Sequence, residues 1–522
     1  SKMNFKKIRS FVAVAVLVTV ASAAQANTVK WSMKGDSLTL DPHEQNEGPT
    51  TMVSRQIYEA LVSRGLDMSI EPQLATEWTI ENPTTWVFTL RKGVTFHDGS
   101  PLTASDVVFS FNRAKSKTSD FKEYIDSVTS VEAVGADKVK LVTEGPNPIL
   151  LNQISNIFVM SEAWSKANDS ALPGDFNADE KTFASSNANG TGPFKITLRE
   201  QDTKTVFEKN DGWWGTVAHN LDRIELYPIA NSATRVASLL SGEIDIVTDA
   251  PVQDLKRIES SAGHNVNSVE QMRTIFLGMD QGSAELRSSN IKGKNPLADR
   301  RVRKAMYQAI DIEAIKKKVM RGLSSPAGII TFPGVNGYTE ALDERLEYNP
   351  QTSKNLLAVA GYPEGFDITL NCPNDRYVND EAICTAVVGM LGKVGINVNL
   401  FAQTKSTHFQ DLKNGLSDFY MLGWGVPTLD SHYVFSFLYD SKGSWNKVGF
   451  DNARVDELIK TMVVEVDPAK RNAAIAEAWK IVKADISYLP LHHQVISWAS
   501  KSNVDVPIRP NNEPLFRFAT VN

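Results

Sequence analysis

Apolar residues recur along this chain in two alternating rhythms. Some stretches repeat at every second position and others at every third or fourth, as strands and amphipathic helices require. Residues 29–33 read as a strand, 34–48 as a loop and 49–64 as a helix. Trp86, Phe88 and Leu90 alternate with Val87 and Thr89, the pattern of a half-buried strand. The run His97 to Pro101 is turn chemistry, and Thr103 with Asp106 forms a capping box opening a helix through Phe111. Residues 234–241 read as a helix closed by Gly242, after which Ile244 and Ile246 alternate with acids in a strand. Asp299 is placed to cap a long helix with Val302, Met306, Ala309 and Ile310 on one face and Gly322 beyond its end.

The second half is the clearest. Strand 366–370, helix 380–394 closed by Gly395, strand 396–400, helix 408–414 and strand 419–422 follow in order. Such a β-α-β-α-β succession predicts a mainly parallel sheet covered on both faces, so the fold class is α/β. A chain of 522 residues also exceeds the ~250–300 at which one core stops growing, so two or more domains are expected. There is no repeat, low-complexity tract or Pro/Ser tether between them.

The first 26 residues change the picture. Lys2, Lys6, Lys7 and Arg9 precede an apolar run from Phe11 to Val20 and the small-residue site Ala24-Gln25-Ala26, the form of a secretory signal. The apolar run is too short to span a bilayer, and no later stretch has about 18 consecutive apolar residues. Asn27, not a cysteine, follows the expected cleavage point, which argues against a lipid anchor. Cleavage would remove four of the 55 basic residues and leave 51 against 61 acidic ones. That balance, without a basic block, argues against nucleic acid and anionic membrane as partners. Two cysteines, Cys372 and Cys384, allow one disulfide in an oxidising compartment and exclude a disulfide-built scaffold.

Catalytic and cofactor signatures are missing. The chain has no P-loop, HExxH, strand-borne GxGxxG, GxSxG or CxxC. His492 and His493 are neighbours that a strand would point to opposite faces, so no metal site is expected there. His97 in its His-Asp-Gly turn reads as a structural hydrogen-bonding residue, and Glu243 with Asp245 as solvated acids. Neither catalytic residues, nor a metal, nor a cofactor is expected; binding is favoured over catalysis.

Several blocks then carry a resemblance. They are Leu74 to Trp78 with Thr85 to Pro101, Ser37 to Pro42, Gly190 to Lys195, Asn210 to Gly215, Pro296 to Asp311, and Tyr348 to Pro363. In this order they resemble the family 5 bacterial extracellular solute-binding proteins, the dipeptide, oligopeptide and nickel receptors of ABC importers. The resemblance spans essentially the whole chain after the signal. It implies a two-lobed periplasmic-binding-protein clamshell of type II, its first lobe enlarged by an extra subdomain. Carried onto this chain, lobe I would be 27–278 with the extra subdomain at about 70–185, lobe II 279–493, and 494–522 a return to lobe I. The hinge crossings would lie near residues 276–280 and 492–496, and the receptor would be a periplasmic monomer without membrane insertion that delivers its ligand to a membrane permease.

Ligands of parallel sheets sit outside the carboxyl ends of strands. The loop after strand 366–370 carries Arg376 and Tyr377 straight into a helix, where a guanidinium and a helix N-terminus together favour an anion. Strand 419–422 ends in Gly423-Trp424-Gly425, an apolar wall between two glycines through which a ligand could approach the backbone. The resemblance implies that Arg376 pairs with a peptide carboxylate and that the segment around Trp424 contacts the peptide backbone. Read without it, Arg376 could equally pair with Asp375 or Asp380, and Trp424 could be core. Relatives continue past this point with an acidic segment that holds the ligand ammonium, whereas here the nearest acid is Asp430, beyond Pro427. Either Asp430 takes that role or the ligand lacks a free α-amine. Met33, Lys34 and Gly35 end the first strand and should face the cleft, Lys34 as a second anion contact or as a solvated lysine. Cys372 and Cys384 bracket Arg376 and, if joined, would pin its loop. The expected ligand is a peptide or peptide-like carboxylate; the alternatives are a nickel or other metal chelate and, further off, an exported hydrolase.

Overall fold

The computed structural model describes residues 27–522. The expected export signal and its cleavage site at Ala26 lie outside the described residues. One mixed sheet runs through the molecule. On one side stand Phe194–Glu200, Lys204–Lys209, Arg223–Pro228, Thr28–Met33 and Ile246–Val247; on the other stand Phe419–Gly425, Phe366–Pro373 and Ile396–Gln403. Thr28–Met33 is parallel to both of its neighbours. Phe366–Pro373 lies between Ile396–Gln403 and Phe419–Gly425 and is parallel to both. The β-α-β-α-β reading therefore holds, with helices Asp380–Gly392 and Lys405–Lys413 as its crossovers.

The two sides are joined by His264–Met279 and Tyr488–Lys501, strands of 16 and 14 residues that pair antiparallel. Their register breaks between Glu270 and Thr274 and again between Ile275 and Phe276. A break in the ladder bends and twists a strand pair locally, and the sheet changes from one half to the other around it. A second, four-stranded sheet of Ala75–Asn82, Thr85–Leu90, Lys138–Thr143 and Val128–Ala133 lies within the 70–185 stretch. Its apolar face, with Phe88, Leu90, Val139 and Leu141, is buried in one core with Val107 and Phe111 of helix Ala104–Ala114. Asp106 Oδ2 accepts from Thr103 N at 2.9 Å, completing the expected capping box.

Two helices differ from the pattern. The helix expected over 49–64 is Gly48–Ile57, because Tyr58 turns to extended backbone, φ −111° and ψ 154°. Tyr58 and Glu59 are buried, and Val62–Arg64 pairs with Ile70–Pro72 as a short hairpin. The long helix after Asp299 stops at Ala309, and Asp311 caps a new turn by accepting from Ala314 N. An apolar stripe continues across such a break, so periodicity alone does not reveal it. His97 is structural, as expected. Its Nδ1 accepts from Gly190 N at 3.2 Å while Nε2 lies 3.1 Å from Gly192 O, and burial lowers its pKa to about 4.

Candidate functional site

The carboxyl ends of Phe366–Pro373 and Phe419–Gly425 open onto a cavity. Residues from both sides of the sheet line it, among them Glu47, Arg273, Arg376, Tyr377, Trp424 and Arg509.

Arg376 sits where the chain leaves strand Phe366–Pro373 for helix Asp380–Gly392. Asp380 Oδ2 accepts from the backbone N–H of both Arg376 and Tyr377 at 2.9 Å, which fixes the loop. A disulfide joins Cys372 to Cys384 across the same loop. The acid that Arg376 finds is neither Asp375 nor Asp380. Its Nε lies 3.0 Å from Glu47 Oε1, on the far side of the cleft. Its guanidinium also lies over the Tyr377 ring, 4.6 Å from the centroid. Tyr377 is buried and its hydroxyl is 3.4 Å from the carbonyl of Gly423.

Glu47 precedes helix Gly48–Ile57, whose first turn contains no acid. A Cβ on Gly48 would lie 3.1 Å from Arg376 Nη2 and 3.2 Å from Arg273 Nη2. Two guanidinium groups thus converge on a helix N-terminus, where free N–H groups and the macrodipole already favour negative charge. Arg273 was not anticipated. Among the described residues its side chain makes no hydrogen bond or ion pair, and its Nε is buried without a partner. Burial first, and then the neighbouring Arg376, lower its pKa to about 10, which still leaves it charged at neutral pH. A buried charge is ordinarily paired, and among the described residues that of Arg273 is not. The sequence does hold a signal: Arg273 is a lone cation entering the apolar run Ile275-Phe276-Leu277.

Trp424 is both wall and core. It is 7% exposed, lines the cavity, and packs within 6 Å of Tyr433, Phe437 and Trp445. The flanking glycines line the cavity too, but for a different reason from the one expected. A Cβ on Gly423 would meet Tyr377 Cε1 at 2.5 Å, and one on Gly425 would meet Met272 O at 3.2 Å and Arg273 Nη2 at 3.3 Å. The space they leave is filled by the protein's own atoms, from Tyr377 and Ile275 at Gly423 and from Met272 and Arg273 at Gly425.

Two expectations need correction. Asp430 does not line the cavity. It is buried in a two-bond pair with Arg471 at 2.6 and 2.7 Å and also accepts from His432 N, so it has no capacity left for a ligand ammonium. Lys34 is neither solvated nor a free anion contact. Its Nζ lies 2.7 Å from Asp380 Oδ1 and 3.0 Å from Tyr377 O, tying the first strand to the Arg376 loop. Gly35 is where that loop comes closest, since a Cβ there would meet Asp375 O at 2.4 Å. Met33, Lys34 and Gly35 line a smaller neighbouring hollow that shares Arg273, Arg376 and Tyr377 with the main cavity.

The opposed walls are held together by further contacts. Lys405 Nζ is 2.7 Å from Glu47 Oε1, Lys413 Nζ is 3.1 Å from Asp120 Oδ1, and Asn46 Nδ2 donates to Tyr433 Oη at 3.1 Å.

Known proteins share this fold. Residues 69–446 match the family described as bacterial extracellular solute-binding proteins, family 5 middle. The glutathione-binding protein GsiB of Escherichia coli O1:K1 is 24% identical over 507 residues, 94% of each chain. Among solved structures, the oligopeptide-binding protein AppA of Bacillus subtilis with a nonapeptide superimposes with a TM-score of 0.85 at 21% identity, covering 95% of this chain and 99% of that one. DppA of Helicobacter pylori with the peptide STSA gives 0.83 at 23% identity, covering 95% and 98%. With the family matched over most of its length and the two-lobed fold matched throughout, this chain belongs to the bacterial extracellular solute-binding proteins, family 5.

Proposed function

We propose that the protein is the periplasmic receptor of an ABC importer for short peptides or peptide-like carboxylates, which it encloses between two lobes and presents to a membrane permease. The observation that carries the ligand class is Arg273, an unpaired guanidinium beside Arg376 at the N-terminus of helix Gly48–Ile57. A ligand carboxylate there receives charge-assisted hydrogen bonds from both arginines and the helix dipole, and Trp424 supplies the apolar wall. We place lobe I at 27–278 and 494–522 and lobe II at 279–493, with the hinge in the paired strands His264–Met279 and Tyr488–Lys501, and the working form as a monomer exported by cleavage near Ala26.

Relatives that bind glutathione or peptides support this reading. Denaturing mass spectrometry of the small molecule that copurifies, followed by calorimetry with glutathione, di- and tripeptides and their C-terminal amides, tests it. Carboxylates should bind and amides should not, and Arg273→Ala should weaken binding by roughly tenfold or more. Equal affinity for acids and amides would reject the assignment. Metal in the purified protein would favour the chelate reading, and turnover of peptides would favour the hydrolase.

A further inference from the structure

The cavity holds more positive charge than one carboxylate can use, and the excess lies in two places. The first is the pole already described: Arg273 and Arg376 line the cavity with one acid, Glu47, which also pairs with Lys405. The second lies deeper, against the C-terminal segment. There Arg55, Arg64, Arg509 and Arg517 line the same cavity with two acids, Glu513 and Glu59. Each pole is thus left with two cationic side chains in excess.

The four arginines of the second pole form one electrostatic group. Burial is the first cause that lowers the pKa of Arg509 to about 10, and Arg55, Arg517 and Arg64 all push it the same way against Glu513. Burial, then Arg55, does the same to Arg64. Neither Arg273 nor Arg376 figures among those neighbours, and Arg273 in turn feels Arg376 and Glu47 but none of the four. Glu513 is shared by Arg55 at 3.2 Å and Arg509 at 3.4 Å, which leaves Arg64 and Arg517 without a paired acid. Arg509 is 2% exposed with its Nε unpartnered, and Arg64 Nη2 is likewise buried without a partner.

Helix Gly48–Ile57 separates them: Arg273 and Arg376 meet Gly48, its first residue, and Arg55 lies seven residues further on, ~10 Å along the axis. Arg273 packs on Gly425, while Arg64 Nε donates to the carbonyl of Pro427 at 3.2 Å. One residue, Val426, lies between these anchor points, so their Cα atoms are at most ~7 Å apart. From the two separated cationic poles in one cavity, we infer that the ligand carries two anionic groups several bonds apart, one for Arg273 and Arg376 and one for the Arg64–Arg509 cluster. The class is a dicarboxylate peptide: a free C-terminus together with an acidic side chain or a γ-linked glutamate. This rests on the carboxylate-receptor reading above and narrows it.

Calorimetry on the full-length mature protein with two matched pairs tests it. Ala-Glu differs from Ala-Gln, and γ-Glu-Gly from 4-aminobutyryl-Gly, by one carboxylate. The dicarboxylate member of at least one pair should bind roughly tenfold or more tightly than its partner. Arg64→Gln, checked for folding by its melting temperature, should narrow that gap while leaving the monocarboxylate affinity within about threefold. Equal binding within both pairs would overturn the inference while leaving the receptor reading intact. A gap that Arg64→Gln leaves untouched would put the second carboxylate elsewhere and overturn it equally. If no member of either pair binds, the carboxylate reading falls and this inference falls with it.

Discussion

Lys405 reaches from its helix across the cleft to Glu47, Nζ to Oε1 at 2.7 Å, in a pair whose side chains are 2% and 3% exposed. The same Nζ contacts the carbonyl of Asp36, and the same Glu47 takes Arg376. Glu47 is therefore the one acid that lets three cations from elsewhere in the fold gather at the mouth of helix Gly48–Ile57. Desolvating charges is costly, and a buried pair broken by removing one partner typically loses ~3–5 kcal/mol.

Glu47→Gln should accordingly open the cleft. Removing this charge leaves Lys405, Arg376 and Arg273 facing one another without compensation. Small-angle scattering of the ligand-free variant should give a larger radius of gyration than the parent, and addition of ligand should reverse it, because an anion restores the missing charge. An unchanged profile in both states would show that closure does not depend on Glu47.

The pH dependence of stability should carry the signature of Glu59. This buried carboxylate accepts from Trp214 Nε1 at 2.8 Å, Trp213 Nε1 at 3.2 Å and Thr191 Oγ1 at 2.8 Å. Burial outweighs those three donors and raises its pKa from 4.5 to about 7. A carboxyl whose folded pKa lies above its unfolded value favours the folded state at low pH. Its contribution is full below about 4.5 and is lost as pH rises through about 7. The shift caps that loss at about 3 kcal/mol. Thermal melts at pH 5 and pH 8 should show the parent losing more stability over this interval than Glu59→Gln. The same slope in both would remove Glu59 as the cause.

Much of the site was legible because its chemistry is local in sequence. Arg376 stands in a strand-to-helix loop, Trp424 at a strand end, and the two cysteines bracket the arginine, all patterns that a short window contains. What stayed hidden depends on distant pairings. Lys34 and Asp380 are 346 residues apart and meet only in the folded chain. Asp430 looked available because Arg471, which occupies it, comes from a helix 41 residues on. Arg273 lies in a strand whose alternation is broken by a register shift, so periodicity did not mark it as facing a cavity. Lobe-scale features such as the parallel sheet were readable for the opposite reason, since each strand-helix-strand unit declares itself within some 30 residues.

Gly423→Ala should damage binding through a neighbour. Its new methyl would have to share space with the Tyr377 ring and with Ile275 Cδ1, at 2.5 and 2.9 Å. Tyr377 supports the guanidinium of Arg376 and, at 6.0 Å from its centroid, that of Arg273. Overpacking of this kind costs roughly 1–3 kcal/mol. The expected result is a lower melting temperature together with weaker ligand binding in calorimetry. A variant that loses stability but keeps full affinity would mean that Tyr377 does not set the position of the arginines.

The disulfide offers a way to separate the stability of lobe II from the preorganisation of its binding loop. Cys372 is the penultimate residue of strand Phe366–Pro373 and Cys384 lies one turn inside helix Asp380–Gly392, so the bridge closes a loop of 13 residues with Arg376 inside it. Closing a loop of that size constrains the unfolded chain by about 3 kcal/mol. The folded loop has other supports: Asp380 holds the N–H groups of Arg376 and Tyr377, Lys34 holds Asp380, and Val378 N donates to Gln494 Oε1 at 3.0 Å. Cys372→Ser with Cys384→Ser should therefore lower the melting temperature clearly while changing ligand affinity by less than about tenfold, since the hydrogen bonds that place Arg376 survive. Combining the pair with Lys34→Met should cost far more affinity than either change alone, because the loop then loses its covalent tie and its cross-cleft tie together. Purely additive effects on affinity would show that the two supports act on different parts of the site.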